Sequence, residues 1–139
     1  NGTSSFIIDT AEPTATIDQI SYNTTSNILL ITGEHMYTIS NESNIESLLD
    51  YSKLTWNIDG DNLAATSHET FVSDDILSAI IDSDTTLNLV LTDAKATALE
   101  SIAGFNVGIE DKMDILSGFL RDVAGNIDTA TYHSSVIYG

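Results

Sequence analysis

Apolar and polar residues alternate with a period of two in several short segments of this chain. The clearest segments are 53–58 and 86–91, where every second side chain is apolar. Because successive side chains of a β-strand point to opposite faces, this alternation predicts strands with one buried face. Further strands are predicted on the same grounds at 15–22, 27–32, 69–72, 113–120 and 129–138. About seven or eight short strands separated by polar turns predict an antiparallel β-sandwich.

Several segments between the strands are predicted as short helices. Segment 44–51 carries apolar residues at helical spacing. Segments 74–80 and 93–101 follow Ser73 and Thr92 respectively, residues that can cap a helix N-terminus. The predicted architecture is therefore mostly β, a sandwich with two or three short helices in its connections.

The balance of charge limits the partners that this chain can bind. Its 139 residues include 4 Lys and Arg against 21 Asp and Glu, so the formal net charge is −17. Nucleic acid is excluded as a partner, because its binding requires basic side chains that neutralise phosphates. Membrane insertion is not expected, because no apolar run approaches the roughly 20 residues that cross a bilayer.

Residue patterns for catalysis are not found in the sequence. His35, His68 and His133 are scattered, without the spacing of a zinc-binding HExxH motif, and no GxSxG motif supplies a serine nucleophile. Thiol chemistry is excluded because the chain has no cysteine. We therefore do not expect an enzyme.

Several segments of the chain have the pattern of a known type of repeat. Segment 8–17, Ile-Asp-Thr-Ala-Glu-Pro-Thr-Ala-Thr-Ile, resembles the linker and first strand of bacterial immunoglobulin-like repeats. Segment 121–126, Arg-Asp-Val-Ala-Gly-Asn, resembles the turn before the last strand of those repeats. Segments 50–61, 91–100 and 118–122 are similar to a longer version of the same modules.

This resemblance implies an immunoglobulin-like antiparallel β-sandwich over residues 13–139, with residues 1–12 forming the end of a preceding strand and an inter-repeat linker. It implies an extender repeat of a large extracellular adhesin of the RTX type, located at the cell surface. The expected partners are neighbouring repeats of the same polypeptide, and an isolated module is expected to be monomeric. The sequence departs from the family pattern at Glu12, because the residue before the linker proline is usually not acidic.

Calcium is the expected cofactor, and the family carries it at many module junctions. The ion takes about six to eight oxygen ligands, so it needs acidic and amide side chains clustered on irregular backbone. The predicted ligands come from the linker and from the turn before the last strand: Asp9, Glu12, Asp122, Asn126 and Asp128. In the alternative interpretation, Asp122 and Asn126 only make turn hydrogen bonds, and Gly125 supplies a positive φ.

A second acidic segment, 57–62, superficially resembles an EF-hand calcium loop. The pattern fails because Gly60 is fourth rather than sixth, and His68 stands where the bidentate Glu should be. We interpret the segment as a strand that ends in a polar turn. Asp59 and Asp61 remain candidate ligands of a different kind of cation site.

Two other functions are compatible with a β-sandwich of this size. One is a building block of a surface layer, and the other is a carbohydrate-binding module. A carbohydrate site would need grouped, exposed aromatic residues. Trp56 instead shares a predicted strand face with apolar residues, which indicates a core position. The tyrosines are dispersed along the sequence, at Tyr22, Tyr37, Tyr51, Tyr132 and Tyr138.

Overall fold

The computed structural model describes residues 11–40, 44–58 and 68–139. In these ranges the chain is mostly β, with eight strands and one α-helix. The strands are β1 Thr16–Asn23, β2 Ile28–Glu34, β3 Leu54–Asn57, β4 His68–Thr70, β5 Ile76–Ser83, β6 Thr86–Leu91, β7 Lys112–Ile115 and β8 Tyr132–Tyr138. The helix, α1, is Asp93–Glu100, and short 3-10 turns occur at Met36–Thr38, Tyr51–Lys53 and Ser73–Asp75.

All eight strands belong to one mixed sheet. Its spatial order is β4-β3-β7-β8-β1-β2-β6-β5. Neighbouring strands are antiparallel except for β1 and β8, which run parallel with Ile20 opposite Val136. The prediction of a wholly antiparallel sheet is therefore wrong at this pair. Alternation within one segment specifies which face is buried, but it carries no information about the direction of the neighbouring strand.

The connection between β4 and β5 requires the sheet to curl. These two strands lie at opposite ends of the sheet order. In a flat sheet they would be about 34 Å apart, at about 4.8 Å for each of the intervening steps. The short link 71–75 bridges at most roughly 22 Å. Lys95 of α1 stabilises this closure, since its Nζ lies 3.3 Å from Oε2 of Glu69 on β4 and 3.5 Å from Oδ2 of Asp75 beside β5.

A cluster of aromatic rings forms the centre of the core. Trp56 is fully buried, and the Tyr22 ring meets it edge-on with the centroids 4.9 Å apart. The rings of Phe71, Phe105 and Tyr138 surround the same indole at centroid distances of 6.4, 5.8 and 6.4 Å. The predicted core position of Trp56 is confirmed. Tyr22 and Tyr138 are dispersed in sequence, but the fold brings them together inside the protein.

One of the predicted helices is present. Thr92 caps α1, because its Oγ1 accepts a hydrogen bond of 3.2 Å from the backbone N–H of Lys95. The helix predicted at 74–80 is wrong: only Ser73–Asp75 forms a 3-10 turn, and the residues after it form β5. The β-branched isoleucines of β5 lie in a strand that pairs with β6. Burial in the sheet therefore outweighs the helix-capping signal at Ser73.

Segment 44–51 is also not a helix. The backbone N–H of Ile45 donates to the carbonyl of Ala79 at 2.9 Å. This segment is therefore hydrogen-bonded to β5 and does not form an α-helix. Ile45 and Leu49 are nevertheless buried, as the apolar spacing indicated. The spacing therefore identified residues of the core but assigned them the wrong backbone conformation.

Beyond β7 the predicted strand 113–120 ends early. Gly118 has a φ of 98°, which a continuing strand does not adopt, and its N–H donates to the carbonyl of Asp128 at 2.8 Å. The chain then forms a small hairpin in which Arg121 bridges Ile127. This hairpin is part of the connection that links β7 to β8 in the sequence.

The parallel pairing of β1 with β8 places the two ends of the described chain at opposite ends of the sheet. We call the end where β1 begins the N-terminal pole; it comprises 12–16, 34–38 and 116–132. The C-terminal pole is the end where β8 finishes; it comprises 23–27, 104–111 and 138–139. Within the described ranges, no helix is long and apolar enough to span a membrane.

Candidate functional site

The turn at Asp122–Asn126 is built around one buried carboxylate. Asp122 is only 4% exposed, and its Oδ1 accepts from the backbone N–H of Asn126 at 2.8 Å. Its Oδ2 accepts from the side-chain amide of Asn126 at 3.1 Å. Gly125 follows at a φ of 89°, and its N–H donates to the Asp122 carbonyl at 3.0 Å. These are the hydrogen bonds expected if Asp122 and Asn126 only shape a turn. They involve both carboxylate oxygens of Asp122.

Asp128 and Glu12 lie at the same pole but have separate partners. Asp128 is buried; its Oδ1 accepts from the N–H of Ala130 at 3.0 Å and its Oδ2 from the Tyr132 hydroxyl at 3.3 Å. Oε2 of Glu12 accepts from the Thr129 hydroxyl at 3.3 Å. The Glu12 carboxylate therefore contacts Thr129, the residue next to Asp128.

The structure brings four of the predicted calcium ligands to the N-terminal pole, namely Glu12, Asp122, Asn126 and Asp128. Over 11–40, 44–58 and 68–139, no three carboxylate or imidazole side chains are grouped so that they could hold a metal ion. The remaining candidates, Asp9, Asp59 and Asp61, lie outside the described residues. A cation at this pole would therefore need oxygen ligands in addition to these side chains.

At the C-terminal pole, the loop 104–111 folds over a buried carboxylate that sequence reasoning missed. Asp111 is 2% exposed, and its Oδ2 accepts from the Tyr138 hydroxyl and, at 2.8 Å, from the N–H of Asn106. The loop and β8 line an open cleft of about 170 Å³. Asp111 and Tyr138 are separated by 27 residues in the sequence, so no local pattern connects them.

Burial raises the pKa of four tyrosines, Tyr22, Tyr51, Tyr132 and Tyr138. It raises the pKa of Tyr138 far above its ordinary value, and the hydrogen bond to Asp111 and the charge of that carboxylate add to the shift. Burial and then the nearby charge of Glu100 raise the pKa of Tyr22, whose hydroxyl donates to Glu100 at 3.1 Å. Burial followed by the charge of Glu46 raises the pKa of Tyr51 to about 12.

These shifts predict that the protein loses stability in alkaline solution. The tyrosines of the unfolded chain release their phenol protons at about pH 10, whereas the buried tyrosines of the native state retain theirs at that pH. The contribution to stability is therefore intact below that pH and decreases as the pH rises toward the native pKa values. We expect the urea midpoint to be constant up to about pH 9 and to fall steeply toward about pH 12.

The double variant Tyr22→Phe, Tyr138→Phe provides the control for this prediction. It removes two of the shifted groups, so its midpoint should depend less steeply on pH over the same interval, whatever its stability at neutral pH. Equal slopes for the variant and the natural sequence would contradict the assignment of the effect to these phenols.

A row of polar side chains crosses β3, β7 and β8. Asn57 and Asp114 are buried, and the Asn57 amide donates to Oδ2 of Asp114 at 3.2 Å. Oδ1 of Asp114 contacts Nδ1 of His133, whose side chain is half exposed. Asp114 thus links three neighbouring strands through its two oxygens. The arrangement stabilises strand pairing and orients the imidazole.

No family model matches the chain, and comparison with curated proteins and with solved structures gives no significant match. Function is therefore inferred from the topology, the two poles and the charge.

Proposed function

We propose that this chain is an extender module of a large extracellular adhesin, which spaces a ligand-binding tip from the cell surface. The observation that carries the proposal is the parallel pairing of β1 and β8. Because of it, the polypeptide enters at one pole and leaves at the other. Modules joined through such ends form a linear array rather than folding back beside one another.

We propose in addition that the curled sheet is an immunoglobulin-like sandwich. One layer would be β4-β3-β7-β8 and the other β1-β2-β6-β5, and the sheet would bend from one layer into the other at the hydrogen-bonded β1–β8 pair. The buried Trp56 on β3, at the centre of the core, supports this division. The connection 71–75 then passes from the far edge of one layer to the far edge of the other.

The net charge of −17 also supports a spacer. Like charges on the sides of neighbouring arrays repel, so lateral association is disfavoured and the module stays monomeric. A surface-layer subunit would instead need extensive self-complementary contacts along its sides. Of the described aromatic residues only Tyr37 is exposed, which does not favour a carbohydrate-binding platform.

Calcium belongs to the proposal as the ion that stiffens the junction at the N-terminal pole. Glu12 and Asp128 are the ligands that we propose from the described residues, together with Asp9 of the linker. Asp122 and Asn126 shape the adjoining turn through their mutual hydrogen bonds. An ion held by these carboxylates would reduce their mutual repulsion and fix the direction in which the linker leaves the module.

Three measurements on the single chain and on a tandem of two copies test the proposal. Ultracentrifugation should find a monomeric single chain, and small-angle scattering should find the tandem extended to about twice the length of one module. In millimolar calcium the Tm should rise by several degrees over the value in chelator, since binding to the native state stabilises it. Glu12→Gln should reduce this rise.

Asp93→Asn is the matched control for the calcium measurement, because Asp93 lies in the first turn of α1 and away from the N-terminal pole. It should keep the full rise in Tm. No rise for the natural sequence would contradict the calcium part alone. A compact tandem, or a single chain that assembles laterally, would contradict the extender function.

A further inference from the structure

The loop 106–110 at the C-terminal pole exposes two large apolar side chains on an otherwise strongly acidic protein. Val107 is 65% and Ile109 is 60% exposed. Gly108 lies between them at a φ of 72°, and a Cβ on it would meet nothing within 4 Å, so the tip stands clear of the rest of the module. Exposed apolar groups that protrude together are typical of contact surfaces.

Several contacts hold this tip in one conformation. The N–H of Val107 donates to the carbonyl of Gly104 at 3.1 Å, and the N–H of Asn106 donates to buried Asp111. Phe105, directly before the tip, packs edge-on against Tyr138 with the centroids 5.0 Å apart. The loop is therefore anchored in the aromatic core, so docking it to a partner costs little conformational entropy.

The position of β8 indicates which partner is nearest. Tyr138 lines the same cleft as Val107 and Ile109, and the N–H of Gly139 donates to the carbonyl of Tyr22 at 3.0 Å. A module attached after Gly139 would emerge beside the loop. The attachment would hold it there at a high effective concentration, which allows even a small contact to form.

The opposite pole offers apolar residues that could receive such a loop. Val123, at the tip of the 121–127 hairpin, is 72% exposed, and Tyr37, in the 3-10 turn after β2, is 55% exposed. Both belong to the N-terminal pole, where a preceding module would meet this one. The apolar surfaces of the two poles are therefore suited to contact one another in a head-to-tail arrangement.

We propose that Val107 and Ile109 form the docking tip by which this module contacts the N-terminal pole of a second copy that follows it in the same polypeptide, with Val123 and Tyr37 as the receiving surface. This inference rests on the extender function proposed above. In such an array, the loop on each module fixes the angle of the next one.

The test uses the tandem of two copies and compares it with the single chain. In the tandem, NMR relaxation should give the tumbling time of one rigid two-module body. The amide resonances of Val107 and Ile109 in the first copy should shift relative to the single chain. With Val107→Ser and Ile109→Ser in the first copy, the two modules should tumble independently and the single-chain Tm should be unchanged.

The matched control is Val72→Ser with Leu77→Ser, two comparably exposed apolar residues that lie in the link 71–75 and in β5, outside the docking tip and its receiving surface. These changes should leave the tumbling of the tandem as it is. An extended tandem whose tumbling and resonances are insensitive to Val107→Ser and Ile109→Ser would overturn the docking tip and leave the extender function standing. A tandem that folds back on itself would overturn both.

Discussion

Replacing Gly33 with alanine is expected to destabilise the protein more than a change at any exposed glycine. A Cβ on Gly33 would lie 1.7 Å from the carbonyl oxygen of Thr16 and 2.7 Å from its carbonyl carbon. Both atoms are backbone, so neither can rotate away. Gly33 pairs with Ile17 at the point where β1 has an irregular register, and the clash would push the start of β1 off β2.

We expect Gly33→Ala to lose about 3 kcal/mol or more of the free energy of unfolding, measured by urea denaturation. Gly139→Ala is the control, because the nearest atom to its added Cβ is Asn23 Nδ2 at 4.0 Å. That variant should retain the stability of the natural sequence. If Gly33→Ala were equally stable, the close approach of β1 to β2 described here would be wrong.

Replacing Trp56 with alanine should have an effect of similar size for a different reason. The side chain is completely buried and contacts four other aromatic rings, so its removal leaves a large cavity at the centre of the core. Large-to-small changes of this kind cost about 3–5 kcal/mol. Since Trp56 is the sole tryptophan, unfolding of the variant should be followed by circular dichroism.

Trp56→Phe keeps an aromatic ring at the site and should lose less than half as much stability. Comparison of the two variants shows whether the loss of stability comes from losing the aromatic contacts or from any substitution in β3. A Trp56→Ala variant as stable as Trp56→Phe would be inconsistent with a core organised around this indole.

Features determined by local sequence were predicted well. Segment 86–91 coincides with β6, because its leucines alternate inward and its polar residues face away from the core. Thr92 acts as the predicted cap because a cap depends on only a few neighbouring residues. In both places the short-range pattern and the tertiary structure favour the same conformation.

Features determined by distant partners were not predictable in this way. The capping signal at Ser73 and the strand propensity of the isoleucines after it compete, and pairing with β6 decides in favour of β5. The direction of β8 relative to β1 depends on how the whole sheet curls. For the candidate sites, the Asp122–Asn126 turn is local and was foreseen as an alternative, whereas the Asp111–Tyr138 contact joins residues far apart in sequence.

The parallel β1–β8 pair also determines how the molecule would respond to tension. A pull on the two ends draws β1 and β8 past each other along their length, because each is attached at its outer end. The hydrogen bonds between them are then loaded together in shear, instead of opening one after another as in a hairpin peeled from its end. In the linear array that we propose, such a strand pair would resist rupture at the position where force passes from one module to the next.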